Sequence, residues 1–253
     1  FLSKLADTQI NDPVFTEKLK EYMDTGINYP SAMSKALKDI CGKTVNSPND
    51  ILGLSYIKEI KKQKSKIKPI SIKRTNSYKS IDFNKKIVSA LTIREAIRNN
   101  ISIQSYMPKY SLKFLDTTID KEKYFPLLKC KIISEINCLD RYQTVDEGIE
   151  NRIKKAIYSC YSMEDLVKKI KTKRYTYNKV QRMLFHILCG FTKEEAADAI
   201  KNIYIRVLGF NENGQGYLNK IKKEVDIPVI SNYSKGKGLL ELEFRVNAIY
   251  ASI

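Results

Sequence analysis

Lys168-Lys169-Ile170-Lys171-Thr172-Lys173-Arg174-Tyr175-Thr176-Tyr177-Asn178-Lys179-Val180-Gln181-Arg182 carries seven basic residues, two tyrosines and no acid. The spacing predicts that this stretch runs without a break into an apolar helix ending near Cys189-Gly190. Val180, Leu184, Ile187 and Leu188 fall at i, i+4, i+7 and i+8, which makes one buried stripe. Tyr175, Lys179, Arg182 and His186 fall at i, i+4, i+7 and i+11, which makes a second, basic face. Cations in a row, with rings between them, suit a phosphate backbone with exposed bases. A solvated face of a lysine-rich protein is the plainer alternative.

Helical spacing continues on both sides of this segment. Upstream, Thr144-Val145-Asp146-Glu147 reads as a capping box for a helix burying Val145, Ile149, Ile153 and Ile157 and showing Arg152, Lys154 and Lys155 outside. Ser162 opens a short helix, and earlier helices are expected near 108–115 and 120–136. Downstream, Thr192 to Glu195 is another capping box. Ile203 to Phe210 reads as a strand, Leu218, Ile221 and Val225 mark a helix, and Ile227 to Ile230 is a second strand. The last helix is expected to bury Leu240, Phe244, Ala248 and Ile249.

Before residue 102 the pattern is mixed. Helices are expected over Pro13 to Asp24, Tyr29 to Ile40, and from the Ser47-Pro48-Asn49-Asp50 start cluster through Ile60. Ile67 to Arg74 reads as a strand, and Thr92 with Glu95 as a capping box opening a further helix. The expected fold is mixed α/β and predominantly α-helical. Residues 1–101 would be the second part of an α/β nucleotide domain, and residues 102–253 a mostly helical domain with a small strand–helix–strand unit.

The chain has 45 Lys+Arg against 28 Asp+Glu, a net charge of +17. Residues 1–50 hold six Lys and seven acids, so the surplus lies beyond them. Such a field favours polyanions. No apolar run reaches the ~18 residues of a membrane span and no secretory segment is visible, so a cytoplasmic protein is expected. Five scattered cysteines and one histidine exclude zinc-finger spacing; the cysteines read as reduced thiols, mostly in the core. His186 has no partner for a metal site or a nucleophile triad, so neither a metal nor a catalytic residue is assigned.

Three residues stand out as ligand contacts. Asn49, at a helix start, can hydrogen-bond a base or ribose, with amides behind it for phosphate; an ordinary cap is the alternative. Arg74, at a strand end, can clamp phosphate. Arg94 in a first helical turn is disfavoured by the dipole, which hints at an anionic ligand. Gly209 to Gly216 lacks P-loop spacing and reads as a strand–turn–helix loop.

Together, Ser-Pro-Asn-Asp-Ile-Leu-Gly-Leu-Ser-Tyr-Ile-Lys (47–58), Ile-Lys-Arg (72–74), Ser-Ala-Leu-Thr-Ile-Arg (89–94), Glu-Gly-Ile-Glu-Asn-Arg-Ile (147–153), Lys-Thr-Lys-Arg-Tyr-Thr-Tyr (171–177) with Arg182, and Tyr-Ile-Arg-Val-Leu-Gly-Phe (204–210) resemble the tRNA(Met) cytidine acetate ligases. The resemblance implies a nucleotidyltransferase-like enzyme that uses ATP, with Mg2+, to activate acetate as acetyl-adenylate. The acetyl group would pass to the wobble cytidine of elongator tRNA(Met), giving N(4)-acetylcytidine. It implies ATP contacts at Asn49, Arg74 and Arg94. Lys171, Lys173, Arg174, Lys179 and Arg182 would grip tRNA phosphates, and Tyr175 or Tyr177 would stack on a base.

Two departures stand out. Val88 to Arg94 occupies the place of an Ile-Ser-Ser-Thr-x-Ile-Arg motif, with Leu91 where the threonine belongs. A single histidine leaves no room for the His-x-Gly-His loop with which the family opens. The expectation is a C-terminal portion, truncated and inactive alone. A non-catalytic RNA-binding module, and a nucleotidyltransferase acting on a small molecule, are the alternatives.

Overall fold

The computed structural model describes residues 1–72, 75–76, 80–115, 121–236, 238 and 240–252, the side chains of 235 and 236 excepted. The chain divides into two compact units, Phe1–Ile119 and Asp120–Ile253, later than the expected boundary at 101/102.

In the first unit, α1 (Leu2–Asn11) and α2 (Pro13–Asp24) meet at Asp12, whose side chain accepts from the Val14 amide and caps α2 beside Pro13. Asn28 caps α3 (Tyr29–Cys41) in the same way, and α4 spans Pro48–Lys62. Leu5, Phe15, Met33, Leu37 and Leu54 close one apolar core between these four helices. Gly53 lets α1 come close to α4, since a Cβ there would stand 3.1 Å from Leu2 Cδ1. Lys61 Nζ and Asp7 join the same pair of helices at 2.7 Å. Ser34 Oγ accepts from the Val45 amide and donates to Asn46 Oδ1, fixing the turn into α4.

The expected strand over Ile67 to Arg74 does not form among the described residues 67–72. Ile67, Ile70 and Ile72 are exposed, Ile72 at 92%. An alternating segment needs a partner strand for its backbone groups, and among its described residues this unit offers none. Ser89, not Thr92, caps α5 (Ala90–Arg98): its Oγ accepts from the Thr92 amide. The Ser89 and Thr92 hydroxyls both donate to the Ser80 carbonyl, at 3.2 and 2.9 Å. A four-residue helix, α6 (Lys109–Leu112), follows.

The second unit is built on α7 (Phe125–Ser134, after a 3-10 turn at Lys121–Tyr124), α8 (Ile149–Ile157), α9 (Met163–Ile170) and α10 (Tyr177–Leu188). Their apolar residues recur every three or four positions and meet in one core. Leu128 and Ile132, Ile149, Ile153 and Ile157, Leu166 and Ile170, and Val180, Leu184 and Ile187 are all buried in it. Truncating Ile153 or Leu166 to alanine should cost about 2–5 kcal/mol. Ser162 caps α9, and the Glu122 carboxylate takes the Met163 and Glu164 amides at 2.7 and 3.2 Å, which suits the positive end of the helix.

Of the expected capping boxes, only Thr192 with Glu195 forms, opening α11 (Lys193–Lys201). That at Thr144 to Glu147 does not. Thr144, Glu147 and Gly148 all take positive φ, and α8 starts from Gly148, whereas a capping side chain needs extended backbone. Strands β1 (Ile205–Arg206) and β2 (Val229–Ile230) pair in parallel across α12 (Glu212–Ile221), so the strand–helix–strand unit is present with shorter strands. In α13 (Glu241–Ala251) Phe244 and Ala248 are exposed, contrary to expectation; Leu240 just before it is buried and Ile249 packs partly on the core. Only Cys160 among the cysteines is buried, and Cys130 and Cys138 are exposed.

Candidate functional site

The basic segment does not continue into its helix without a break. α9 ends at Ile170, and residues 171–176 form a tight loop before α10. Thr172 closes that loop on itself. Its amide donates to the Tyr175 carbonyl at 3.1 Å and its Oγ1 accepts from the Tyr175 amide at 2.9 Å.

Tyr175 anchors the loop inward. Its ring is 3% exposed, and its hydroxyl donates to the Asp146 carbonyl at 2.6 Å. Burial, with Glu147 and Asp146 nearby, pushes its phenol up to about 12. Lys179 Nζ lies 3.8 Å from the ring centroid. A buried ring with a cation over it has no face for a base, so the expected stacking role fails at Tyr175. Tyr177, the first residue of α10, is exposed and keeps that possibility; its hydroxyl accepts from Gln181 Nε2 at 3.1 Å.

The seven cations are not equivalent. Lys168 pairs with Glu164 at 2.6 Å and Lys169 with Asp165 at 3.0 Å, and those bonds hold both ammoniums above their ordinary value. Arg174 faces Glu147 at 3.4 Å. Lys171, Lys173 and Arg182 are exposed and have no ion-pair partner among the described residues. The loop therefore presents two free ammoniums from a pinned backbone, with Arg182 on the adjoining helix. Sequence reading took Glu147 as a capping acid and missed its pairing with Arg174, 27 positions away. His186 is half-buried, and its Nδ1 meets the Gln143 carbonyl at 2.9 Å and Thr144 Oγ1 at 3.1 Å.

The nucleotide candidates all lie in the first unit. Asn49 is exposed in the first turn of α4, where the Ser47 side chain makes no capping bond. Such a turn keeps amides for an anion, although Asp50 beside them opposes one. Arg94 is exposed on α5, but with Ser89 as cap it sits past the first turn, so the dipole argument no longer applies to it. Arg74 lies outside the described residues. Asn49 and Arg94 thus stand on separate helices and share no hydrogen bond. Among the described residues, no three His, Cys, Asp or Glu side chains gather as a metal site, and no helix is long and apolar enough to cross a membrane.

A family model described as HIGH Nucleotidyl Transferase matches residues 1–253. The tRNA(Met) cytidine acetate ligase of Anoxybacillus flavithermus is 37% identical over 94% of this chain and 64% of its own length. That of Clostridium perfringens is 35% identical over 99% of this chain and 68% of its own length. The chain belongs to the tRNA(Met) cytidine acetate ligase family. It spans about two thirds of the length of these relatives. The fold of the family is shared too. The apo crystal structure of Thermotoga maritima TmcAL superposes with a TM-score of 0.81 at 23% identity, over 98% of this chain and 66% of that one. A second structure of that protein, bound with alpha-thio ATP, gives 0.78 at 22% identity over the same shares.

Proposed function

We propose that this chain serves the acetylation of the wobble cytidine in elongator tRNA(Met), as part of an ATP-dependent, cytoplasmic tRNA(Met) cytidine acetate ligase acting on acetate. The observation that carries this reading is the 35% identity that runs through 99% of the chain. ATP, when bound, supplies the adenylyl group that activates acetate. Asn49, Arg74 and Arg94 in the first unit would hold it, Asn49 by base or ribose hydrogen bonds and the arginines by phosphate contact. Mg2+ would arrive on the phosphates, held mainly by them and by water. The second unit would hold the tRNA. Lys171, Lys173 and Arg182 would take phosphates directly, Arg174 on release from Glu147, and Lys179 beside them, with Tyr177 stacking on a base.

With His186 as its one histidine, this chain contains no His-x-Gly-His pair. Acetate adenylation by the chain alone is therefore not expected. The same observation favours a second reading, a non-catalytic RNA-binding module. A small-molecule nucleotidyltransferase has no use for a cationic loop of this length.

Equilibrium binding of ATP and of elongator tRNA(Met) separates these readings. The ligase reading expects both to bind, ATP more weakly after Asn49→Ala, and the elongator tRNA in preference to other tRNAs. Binding of tRNA without ATP would leave the module. Labelled acetate entering tRNA with the Clostridium perfringens enzyme, and not with this chain, is the expected control; label transfer by this chain alone would overturn the expected inactivity.

A further inference from the structure

The connection between α8 and α9 is held more firmly than a helix joint requires. Cys160 is buried in the core and fixes the middle of the turn. Carbonyls of the turn that follows α8 are taken by lysines from both neighbouring helices. Lys129 Nζ of α7 donates to the Cys160 carbonyl at 2.8 Å. Lys169 Nζ of α9 donates to the Ser159 carbonyl at 2.9 Å. Arg152 of α8 donates to the Lys169 carbonyl at 3.1 Å, tying the two helices across the turn.

From this pinned turn two rings stand in water, Tyr161 at 88% and Tyr158 at 61% exposure. Lys129 Nζ lies 5.6 Å from the Tyr161 centroid. One of its three N–H groups goes to Cys160, which leaves the others for an anion. Lys154 and Lys155 precede Tyr158 by four and three positions, which places all three on one face of the helix end. Neither lysine has an ion-pair partner among the described residues.

We propose that residues 154–161, with Lys129, form a stacking platform for unpaired bases of RNA. Tyr161 and Tyr158 offer ring faces, which stack on any base. Lys129, Lys154 and Lys155 take the flanking phosphates. The proposal rests on the tRNA-binding reading and adds to it a contact apart from the Lys171–Arg182 segment. Cations without an ion-pair partner among the described residues, beside exposed rings, favour this occupant over a protein surface, which would need apolar area around the tyrosines.

The sequence contains no tryptophan, so Tyr161→Trp gives the chain a single indole at the platform. Tyr217→Trp on α12, also exposed, is the control. A single-stranded cytidine-rich heptaribonucleotide should quench the indole at 161 and leave that at 217 unchanged. Tyr161→Ala should weaken binding of the same oligonucleotide roughly 5- to 150-fold, the span of one base stack, with Tyr161→Phe restoring it. An unquenched indole at 161 while the chain still binds tRNA overturns the platform and leaves the tRNA reading intact. Absence of any RNA binding by the unaltered chain overturns both.

Discussion

The ammonium of Lys179 sits 3.8 Å above the ring of Tyr175, a buried ring that belongs to the same loop as Lys171 and Lys173. One aromatic side chain thus carries a cation over its face and ties its own loop to the Asp146 carbonyl through its hydroxyl.

Removing that hydroxyl tests the anchor. Tyr175→Phe should lower stability by about 1 kcal/mol, the net worth of one hydrogen bond. Its pH dependence has a definite sign. The folded phenol, pushed up to about 12 from an ordinary 10, favours the protonated form. Its contribution is complete below pH 10 and is lost as pH rises from about 10 to about 12. Tyr204, raised to about 12 chiefly by its bond to Glu243, acts in the same window. Urea midpoints at pH 9 and 11 should therefore differ less in Tyr175→Phe than in the unaltered chain.

Free and paired cations in one run should behave differently. Lys171→Ala with Lys173→Ala should reduce the log–log salt slope of tRNA binding by about 1.4–1.8, two phosphates' worth, with the melting temperature unchanged. Lys168→Ala should leave the slope unchanged, because Glu164 already occupies that ammonium. Equal effects from both would mean that the ion pairs do not set which cations meet RNA.

Glu147 should act against binding. It faces Arg174 at 3.4 Å, and a phosphate must displace it. Glu147→Gln should strengthen tRNA binding, by several-fold at low salt and less at high salt, as screening removes the advantage. A weaker complex in a filter-binding or anisotropy titration would show that the pair orients Arg174 instead of withholding it.

Acid sensitivity should centre on Glu135. Burial opposes its charge, but hydrogen bonds from Lys131, Tyr142 and Arg141 outweigh that and keep its carboxyl below the ordinary 4.5. A carboxyl depressed on folding stabilises the fold above its unfolded value, and that stability is lost as pH falls through the folded one. Glu135→Gln should cost about 1.5–3 kcal/mol at pH 7 and flatten the fall in melting temperature below pH 4.5.

Where a short local signal was sufficient, the fold could be read directly. Pro13 starts α2, Thr192 with Glu195 caps α11, and the stripe through Val180, Leu184 and Ile187 is buried. Signals that depend on distant partners misled. Ile67 to Ile72 alternates like a strand but has no partner strand among the described residues, and the four residues from Thr144 match a capping box that positive φ at Thr144 and Glu147 forbids. α1 escaped notice because Phe1 provides no side-chain cap and α1 buries only Leu5 and Ala6. At the candidate interface, charge was legible and pairing was not. Nothing in the spacing shows that Arg174 meets Glu147, or that Tyr175 turns inward.

The antiparallel bridge between Tyr142 and Thr192 closes the second unit's core. Beyond it α11, α12 and α13 bury no residue, and Ile230 and Leu240 are the buried apolar positions among those described. Polar links such as Lys193 to Asp146 at 2.9 Å hold this region in place. Residues 193–253 are therefore fastened to the helical core more than they build it. A segment joined in that way can be lengthened, shortened or exchanged for a relative's counterpart while the four core helices stay folded, so this is where members of the family have room to diverge.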